Sequence, residues 1–422
     1  MMLKQRILAW LMKEERLQRH PFLRRLLWKR GARYRFMEQR AAQIRKKEVI
    51  TVAFMALDLP CWKCDFLFRL MQSHPRFRPI IWIVPELQIK DEDERMRKLD
   101  EMRRVFAERG YPVADMYSLE QMRAEYAPDI VFLAKPYCGV TPWSSWEMEE
   151  ELVCYVPYCY INTCRESFLY GQENNVWRNF YATRGIRKLA SSLMANGGCN
   201  VVVAGAPIAD TFLYQESDGA LQAWKSCKPG MKRVIWAPHW TVNADSWFNV
   251  ATFVDVADGM LALAEKYAEQ IQWAFKPHPL LRDALYQHPD WGKARTDAYY
   301  ELWGAMPNTQ LETGAYVELF KQSDAMVHDS GSFILEYLLV DKPCMYLQRG
   351  EGFSQFNEDT IQALRCYQKG SSVAEIEQFL LGLLHGAPDV HAAARERYRK
   401  RYLMPPGANP VAWNIINAIL KG

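Results

Sequence analysis

The sequence predicts an α/β fold made of two Rossmann-like domains, and three features support this. Short uncharged apolar runs alternate with helical patterns, first from Val49 to Asp210 and again from Val234 to Leu347. The runs lack polar alternation, which is typical of parallel strands covered on both faces. At 422 residues the chain is also too long for a single hydrophobic core. We therefore expect two parallel sheets, each covered by its own helices.

The charge is divided unevenly along the chain. Residues 1–47 hold 15 Lys and Arg against 3 Asp and Glu, a net charge of +12, whereas residues 48–422 have a net charge of −8. Apolar residues of this N-terminal arm (residues 1–47) recur near the helical period, and Pro21 divides the segment. The pattern is typical of interfacial helices, so we expect the arm to bind an anionic membrane surface and not nucleic acid. A basic helix packed on its own domain is the alternative.

The chain carries no signal for insertion or secretion. No run of about 18 uncharged apolar residues occurs, and Lys4, Arg6 and Lys13 interrupt the apolar runs near the N-terminus. We expect a cytoplasmic protein that is peripheral to the inner face of the plasma membrane. The ten cysteines are scattered and lack a His at ligand spacing, although Cys61 and Cys64 form half of a zinc-ribbon pattern. We expect reduced core thiols, no metal and no other cofactor.

The first domain is expected over residues 48–214. Its predicted helices lie near residues 64–73, 91–109 and 175–194, and its predicted strands are ITVAFMAL, PIIWIVPE, DIVFLAKP, VCYVPYCYI and NVVVAG. The loop that begins at Asp58 is polar and aromatic, and it follows a strand's carboxyl end. We expect this loop to face an acceptor, with Asp58 as a candidate base, and a helix cap by Asp58 is the alternative.

The second domain is expected over residues 233–405, after a polar link at 215–232, and an amphipathic C-terminal helix follows at 406–422. Its predicted strands are VIWAPHW, QWAFKPHP, NTQLETG, a short run before His328 and a run beginning near Cys344. Its predicted helices lie at 250–269, in two segments before Met306, on either side of the His328 strand, and at 358–367, 372–385 and 388–402.

Polar residues follow three predicted strands of the second domain. One strand ends in Lys276 and His278, another ends in His239, and the third runs into the turn His328-Asp329-Ser330-Gly331-Ser332. The carboxyl ends of parallel strands meet at one edge of a sheet, so we expect these residues to converge. Serine hydroxyls and backbone N–H groups at a helix start attract anions, and Lys and His suit a diphosphate. A serine cap and capped loops without a ligand are the alternative.

Four motifs resemble those of the CDP-glycerol glycerophosphotransferase family, which builds teichoic-acid-type polymers. They are GAPIAD (205–210), VIWAPHW (234–240), FKPHP (275–279) and ELFKQSDAMVHDSGSFILEYLLVDKPCMYL (318–347), and residues 62–85 resemble the family's N-terminal half more loosely. The resemblance implies a GT-B fold, with a cleft between the two domains. It also implies a CDP-activated polyol donor bound by the second domain, and transfer of polyol phosphate to a hydroxyl of a polysaccharide or lipid-linked acceptor.

The resemblance also places His278 and the turn Asp329-Ser330-Gly331-Ser332 against the donor's phosphates. Together with the strand-end positions, we expect a donor site of Lys276, His278, His328, Asp329, Ser330, Gly331 and Ser332, with His278 also a catalytic candidate. We take His239 or Asp58 as the candidate proton acceptor.

The chain departs from the family pattern at three places. Where the family shows Trp-His-Gly-Thr-Pro with its catalytic His, this chain reads Tyr155-Val156-Pro157-Tyr158-Cys159. Ile208 and His239 stand where Arg and Thr are usual, and the turn beginning at His328 replaces Ser-Asp-Tyr-Ser-Ser. We expect a transferase of the glycerophosphotransferase type, acting in cell-envelope or capsular polysaccharide synthesis. The alternatives are a GT-B glycosyltransferase that uses a nucleotide sugar, and a non-catalytic membrane-associated assembly partner.

Overall fold

The computed structural model describes residues 31–421 apart from 88, 90, 117, 136–142, 144, 146, 164–171, 215–221, 227, 244–248 and 351–355. The chain forms two compact domains. The first domain contains Met1–Tyr214 together with Tyr402–Gly422, and the second contains Gln215–Arg401. The chain therefore returns to its first domain after completing the second.

The first domain is built on a seven-stranded parallel sheet. Its strands are β1 (Ile50–Ala56), β2 (Phe77–Ile83), β3 (Val113–Asp115), β4 (Ile130–Leu133), β5 (Leu152–Tyr155), β6 (Arg178–Tyr181) and β7 (Val201–Val203). Their order in the sheet is β3-β2-β1-β4-β5-β6-β7, and every pairing is parallel. All residues of β4 and β5 are buried, as a strand covered on both faces requires. The strand order reverses between β1 and β4, where the carboxyl ends of an α/β sheet leave a crevice.

Helices pack against this sheet through their apolar faces. They are α1 (Ala32–Ile44), α2 (Asp65–Ser73), α3 (Glu92–Glu108), α4 (Leu119–Tyr126), α5 (Gln172–Asn175), α6 (Arg184–Leu193) and α7 (Pro207–Leu213). In α2, for example, Leu67, Phe68 and Met71 recur at helical spacing and are the buried residues.

The second domain is built on a six-stranded parallel sheet. Its strands are β8 (Lys232–Ala237), β9 (Ile271–Phe275), β10 (Thr309–Leu311), β11 (Ala325–His328), β12 (Cys344–Leu347) and β13 (Gln368–Gly370). Their order is β10-β9-β8-β11-β12-β13, with all pairings parallel. The order reverses between β8 and β11, so the ends of these two strands are the place where a ligand is expected.

The helices of the second domain follow the strands in alternation. They are α8 (Phe253–Lys266), α9 (Leu281–Tyr286), α10 (Gly292–Ala305), α11 (Val317–Gln322), α12 (Phe333–Glu336), α13 (Glu358–Leu364), α14 (Val373–Leu384) and α15 (Ala392–Tyr398). Trp236, Trp273 and Trp303 lie fully buried in the core between sheet and helices.

The last helix, α16 (Val411–Lys421), packs in the first domain. The carboxylate of Asp210 on α7 accepts the backbone N–H groups of Val411 and Ala412 at 2.7 and 2.8 Å, which satisfies two donors at the start of the helix. Gly205 lies against the same helix with φ +100°, and a Cβ atom there would lie 2.6 Å from Val411 Cγ2. Two residues of the GAPIAD motif therefore hold the C-terminus in place.

The α/β class with two parallel sheets is confirmed, and most predicted elements lie where the sequence placed them. The prediction of one long helix over 175–194 was wrong, because this stretch contains β6 and then α6. Thr183 separates the two, since its side chain accepts the backbone N–H of Ile186 and so caps α6.

The last part of the N-terminal arm packs on the first domain as α1. Its buried residues include Met37, Ala41 and Ile44. Arg40 and Lys47 bind the buried carboxylate of Asp129, just before β4, at 3.3 and 2.6 Å. This part of the arm follows the alternative of a basic helix packed on its own domain, while residues 1–30 lie outside the described residues. Within the described part of the chain, we find no helix with the length and apolar character needed to span a bilayer.

Candidate functional site

The structure brings the loops after β8, β9 and β11 together, because these three strands are neighbours in the sheet. The rings of His239 and His278 lie with their centroids 5.2 Å apart, and Trp240 lies 6.1 Å from His278. Two further bonds tie β9 to β8: Lys276 N–H donates to Trp236 O at 2.8 Å, and His278 N–H donates to Pro238 O at 3.0 Å. The predicted convergence of these strand ends is therefore present within the second domain.

The carboxylate of Asp329 holds this edge together. Its Oδ1 accepts the backbone N–H of His239 at 2.5 Å, and its Oδ2 accepts both the N–H and the hydroxyl of Thr252 at 2.5 and 2.8 Å. Asp329 is 1% exposed, and burial raises its pKa to about 6 against the opposing effect of these hydrogen bonds. With both oxygens engaged, Asp329 positions the loop after β8 and the start of α8, which begins at residue 253.

Both histidines at this edge are held neutral by their surroundings. Burial together with His278 lowers the pKa of His239 to about 3, and burial together with Lys276 lowers that of His278 to about 4. The Nδ1 atom of His278 accepts the backbone N–H of Leu280 at 3.1 Å, so the proton of the neutral ring sits on Nε2. His278 can therefore donate a hydrogen bond from Nε2 to an oxyanion.

The Nδ1 atom of His239 has a hydrogen-bond partner. Its Nδ1 lies 3.0 Å from the hydroxyl of Thr241, which also accepts the N–H of Val250 at 3.4 Å. A hydroxyl with a free choice of donor or acceptor role allows either tautomer of His239. The contact with Thr241 therefore permits His239 to carry its proton on either ring nitrogen.

His328 lies inside the domain and not at its surface. It is fully buried, its ring packs edge-on against Tyr346 and Tyr367, and burial lowers its pKa to about 3. Its Nδ1–H donates to the carbonyl oxygen of Ser330 at 3.1 Å, so Nε2 is an acceptor, and among the residues that the structure describes this atom has no hydrogen-bond partner. His328 acts on the turn through Ser330, whereas the sequence analysis placed it directly in the donor site.

The turn at 329–332 differs from the expected helix cap. Ser332 stands at the start of α12 in a helical conformation, and its side chain makes no capping bond. The segment that follows is one α turn and one 3₁₀ turn, Tyr337–Val340. The serine hydroxyls and loop N–H groups, and not a long helix dipole, are therefore what this turn offers to an anion.

Lys276 is buried but placed at the same edge. Its Nζ donates to the carbonyl of Gly314 at 2.9 Å and lies 5.6 Å from the centre of the Tyr316 ring. The hydroxyl of Tyr316 donates to the buried carboxylate of Glu336. Glu336 lies within the 318–347 motif but was not singled out, and Tyr316, Thr241 and Thr252 were missed because they lie outside the four motifs.

Asp58 belongs to the other domain and has its own partners. It follows β1, its Oδ1 accepts the N–H of Cys61 at 2.6 Å, and its Oδ2 accepts from Lys135 Nζ at 2.8 Å. Burial raises the pKa of Asp58, but Lys135 and these bonds outweigh burial and lower it overall. Lys135 follows β4 as Lys276 follows β9, each before a proline in the sequence, and this repeated Lys-Pro signal was available but unused.

No metal site is formed by the described residues, since no three His, Cys, Asp or Glu side chains lie close enough together to hold an ion. Cys61 and Cys64 are free thiols, and burial raises the pKa of Cys64 to about 12. Cys64 is a buried core thiol, whereas Cys61 is half-buried.

Comparisons with known proteins find the fold and not the family. No protein-family model and no curated protein matches the sequence. Among solved structures, the chain is similar to UDP-GlcNAc 2-epimerase from Neisseria meningitidis bound to UDP-GlcNAc, with a TM-score of 0.57 and 15% identity over 88% of this chain and 100% of that one.

Two other structures match comparably. A variant of the wall teichoic acid polymerase TagF has a TM-score of 0.58 and 12% identity over 95% of this chain and 97% of that one. The S. aureus MnaA–UDP co-structure has a TM-score of 0.55 and 14% identity over 88% of this chain and 96% of that one. The chain has the GT-B fold. At these low identities the similarity shows the fold alone.

We predict that Asp329→Asn lowers the free energy of unfolding by about 1–3 kcal/mol. An amide nitrogen would face either the N–H of His239 or the donors of Thr252, leaving a buried donor without an acceptor. Urea denaturation measures the change. Asp258→Asn, at an exposed ion pair with Arg295, is the control and should change stability by less than about 0.5 kcal/mol. Equal stability of the two variants would contradict the role given to Asp329.

A second prediction concerns pH. The folded-state pKa of His328 is about 3 and its ordinary value is 6.5, so between these values the unfolded chain binds a proton that the folded chain does not. The free energy of unfolding should therefore fall as pH falls through this range, by up to about 1.4 kcal/mol per pH unit from this residue. His328→Gln should make the slope shallower, and the exposed His385→Gln should not.

Urea denaturation at pH 4.5, 5.5 and 6.5 measures these slopes. The raised pKa of Asp329 has the opposite effect, because it stabilises the folded chain as pH falls through about 6. Asp329 is present in both His328→Gln and the native chain, so the difference between their slopes reports on His328. If His328→Gln and the native chain showed the same slope, the pKa of His328 would be the same in the folded and the unfolded chain, and the prediction would be wrong.

Proposed function

We propose that this protein transfers a polyol phosphate from a CDP-activated donor to an acceptor hydroxyl in the synthesis of an envelope or capsular polysaccharide. The observation that carries the proposal is the meeting of three strand ends at the reversal point of the second sheet, where Asp329 accepts the N–H of His239 and the His239 ring lies 5.2 Å from that of His278. Support comes also from the four motifs that resemble the glycerophosphotransferases and from the structural likeness to TagF.

The edge suits a diphosphate because its groups are donors or cations. His278 Nε2–H, the Ser332 hydroxyl and the N–H groups of the turn can bind phosphate oxygens, and the Lys276 charge lies close behind them. The Ser332 hydroxyl has no hydrogen bond within the described protein. A diphosphate next to His239 and His278 would raise the pKa of both rings, because a negative charge favours their protonated forms. Donor binding would thereby make His239 a stronger base.

The proposed step is a displacement at the β-phosphorus of the donor. The acceptor oxygen forms a bond to this phosphorus, the bond to the bridging oxygen breaks, and CMP leaves with that oxygen. The acceptor's proton passes to His239, and the donors of the edge stabilise the charge that spreads over the phosphates. Asp58 is the weaker candidate for the proton because both of its oxygens already hold protein donors.

A GT-B glycosyltransferase is the second candidate, and the likeness to a UDP-GlcNAc enzyme favours it. The same edge would hold the phosphates of a nucleotide sugar, and attack would fall on the anomeric carbon. The product distinguishes the two candidates, since one gives a phosphodiester and the other a glycoside.

A non-catalytic assembly partner is the third candidate. The place of the family's catalytic His is taken by Tyr155 and its neighbours, and Tyr155 is buried with its ring edge-on to Tyr181. Hydrolysis of CDP-glycerol by the purified protein would exclude this candidate.

We predict that CDP-glycerol raises the melting temperature of the native protein, because a ligand that binds only the folded chain stabilises it. His278→Ala or Ser332→Ala should remove most of the shift, and the exposed His385→Ala should keep it. Thermal denaturation with and without the donor measures the effect. A shift with UDP-GlcNAc and none with CDP-glycerol would favour the glycosyltransferase.

We predict that His239→Gln lowers turnover by about 10²- to 10⁴-fold, the usual contribution of a positioned base, with the donor-induced melting shift retained. Release of CMP in the presence of acceptor measures turnover. Turnover near that of the native protein would exclude His239 as the base.

We further propose that the N-terminal arm binds an anionic inner membrane surface. A chain that begins at Gly31 lacks residues 1–30, which carry a net charge of +7 and include Trp10 and Trp28, but it keeps α1. It should fold and should no longer sediment with phosphatidylglycerol vesicles. Each basic residue near such a surface contributes about 1 kcal/mol, so binding of the full chain should weaken with salt.

A chain beginning at Glu48 is the comparison. It lacks α1, and Asp129 would lose both Arg40 and Lys47, so we expect a lower melting temperature as well as lost binding. Equal sedimentation of the Gly31 chain and the full chain would exclude a membrane role for residues 1–30.

A further inference from the structure

A network of buried asparagine side chains surrounds the start of β6. Asn179 and Asn200 both donate to the backbone carbonyl oxygen of Glu173, at 2.9 and 2.8 Å. The side-chain oxygen of Asn174 accepts the N–H of Asn196 at 2.9 Å, and Asn196 donates to the side chain of Asn200, also at 2.9 Å. All four asparagines are buried. These bonds fix the single turn of α5 against β6 and against the loop before β7.

The carboxyl group of Glu173 is the exception in this network. Glu173 is 1% exposed, and among the residues that the structure describes neither carboxylate oxygen has a hydrogen-bond partner. The side-chain oxygen of Asn179, which is also buried, lacks one too within this part of the chain. A charged carboxylate that gives up water without gaining donors is far more costly than a neutral carboxylic acid. The neutral acid also has an O–H group, which is the kind of donor that these acceptors lack.

Charged side chains on the neighbouring elements have partners of their own. On β6, Arg178 binds Glu38 of α1 at 3.1 Å. The loop before β5 accepts a side-chain hydrogen bond from α5, and its buried carboxylate, Glu151, pairs with Arg123 at 2.6 Å. The other carboxylates of this loop, Glu147, Glu149 and Glu150, are exposed. These charges are therefore either paired elsewhere or in water.

Other ionisable groups near β6 are an arginine and two thiols. Arg45 of α1 lies over the Trp177 ring and donates to the carbonyl oxygen of Ile419. Burial raises the pKa of the Cys154 thiol on β5, so this thiol stays protonated at neutral pH. Cys199, in the loop before β7, is a half-buried free thiol.

We propose that Glu173 is held in the folded first domain as a neutral carboxylic acid, and that its ionisation at alkaline pH opens the junction of α5 with β6. The inference concerns a pH-sensitive junction in the first domain and is independent of the donor and the reaction proposed above. The asparagines hold the backbone of α5 around the carboxyl, so a charge formed there cannot reach water unless the junction opens.

The direction of the pH effect follows from the two states of the chain. Burial raises the pKa of Glu173 to about 8, against the weaker opposing effect of its own backbone N–H, whereas its ordinary value is 4.5. Between these values the folded chain binds a proton that the unfolded or opened chain does not. Glu173 therefore stabilises the closed junction fully below pH 4.5, and this stabilisation is lost as pH rises to about 8.

Hydrogen exchange measured by mass spectrometry on the full chain at pH 6, 7, 8 and 9 tests the inference. Dividing by the intrinsic exchange rate at each pH gives the protection of amides in peptides that contain β6. The proteins are the native chain, Glu173→Gln, which is uncharged at every pH, and the control Glu108→Gln, whose exposed carboxylate pairs with Arg104. Asp210 and Asp329, whose pKa values burial raises to about 6, are present in all three proteins. Their contribution therefore cancels in the comparison.

We expect the protection of β6 in the native chain, relative to Glu173→Gln, to fall about tenfold per pH unit between pH 6 and pH 8 and to change little above pH 8. Glu108→Gln should follow the native chain. Peptides that contain β9, in the second domain, should be protected equally in the native chain and Glu173→Gln. The same pH dependence of β6 in these two proteins would overturn the inference.

A measurement on the native chain alone covers the case that Glu173→Gln folds poorly. Infrared difference spectra between pH 7 and pH 9, from protein labelled with ¹³C at its glutamate side-chain carboxyls, should show a protonated glutamate carboxyl at pH 7 that is lost at pH 9. Absence of this band at pH 7 would show that Glu173 is charged there and would overturn the inference. Protection of β6 that rises with sodium or potassium chloride, against choline chloride at the same ionic strength, would also overturn it, because a cation would then replace the proton.

Discussion

The second domain's site depends on a single carboxylate. Asp329 joins the end of β11 to the loop after β8 and to Thr252, the residue before α8. Its two carboxylate oxygens accept three hydrogen bonds from these places. Parallel strands place these loops near one another but leave their conformation open. A buried carboxylate with three donors selects one arrangement, because any other leaves charge or N–H groups unsatisfied. Asp329 therefore fixes the backbone at His239, and the N–H bond of His278 to Pro238 O ties the loop after β9 to the same place.

The same plan appears in each domain at the point where the strand order reverses. In the second domain the pair across this point is His239 and Asp329, in the loops after β8 and β11. In the first it is Asp58 and Lys135, in the loops after β1 and β4. The chemical character differs: the second edge offers neutral rings, hydroxyls and N–H donors, whereas the first holds an ion pair of Asp58 and Lys135. The same strand arrangement therefore carries different chemistry in the two domains.

Local sequence patterns predicted the strands and the loop residues, since an apolar run followed by a polar motif marks a strand's carboxyl end. Lys276, His278 and the serine turn could be found in this way. Partnerships could not be, because Lys135 meets residues 77 and 49 positions away, and that depends on strand order. The three-residue strands β3 and β13 are too short to form a period. His328 was misplaced for a related reason: its neighbours Tyr346 and Tyr367 come from later elements that bury it.

The departure from the glycerophosphotransferase pattern can be explained through the first sheet. The family's catalytic histidine would stand near the end of β5, where Tyr155 instead packs edge-on to Tyr181 in the core. A proton acceptor is still needed if a hydroxyl is to attack a phosphorus. In the second domain, His239 stands where the family usually shows Thr. If this chain performs that displacement, its proton acceptor therefore stands elsewhere than at the end of β5, and this is why the proposal places it at His239.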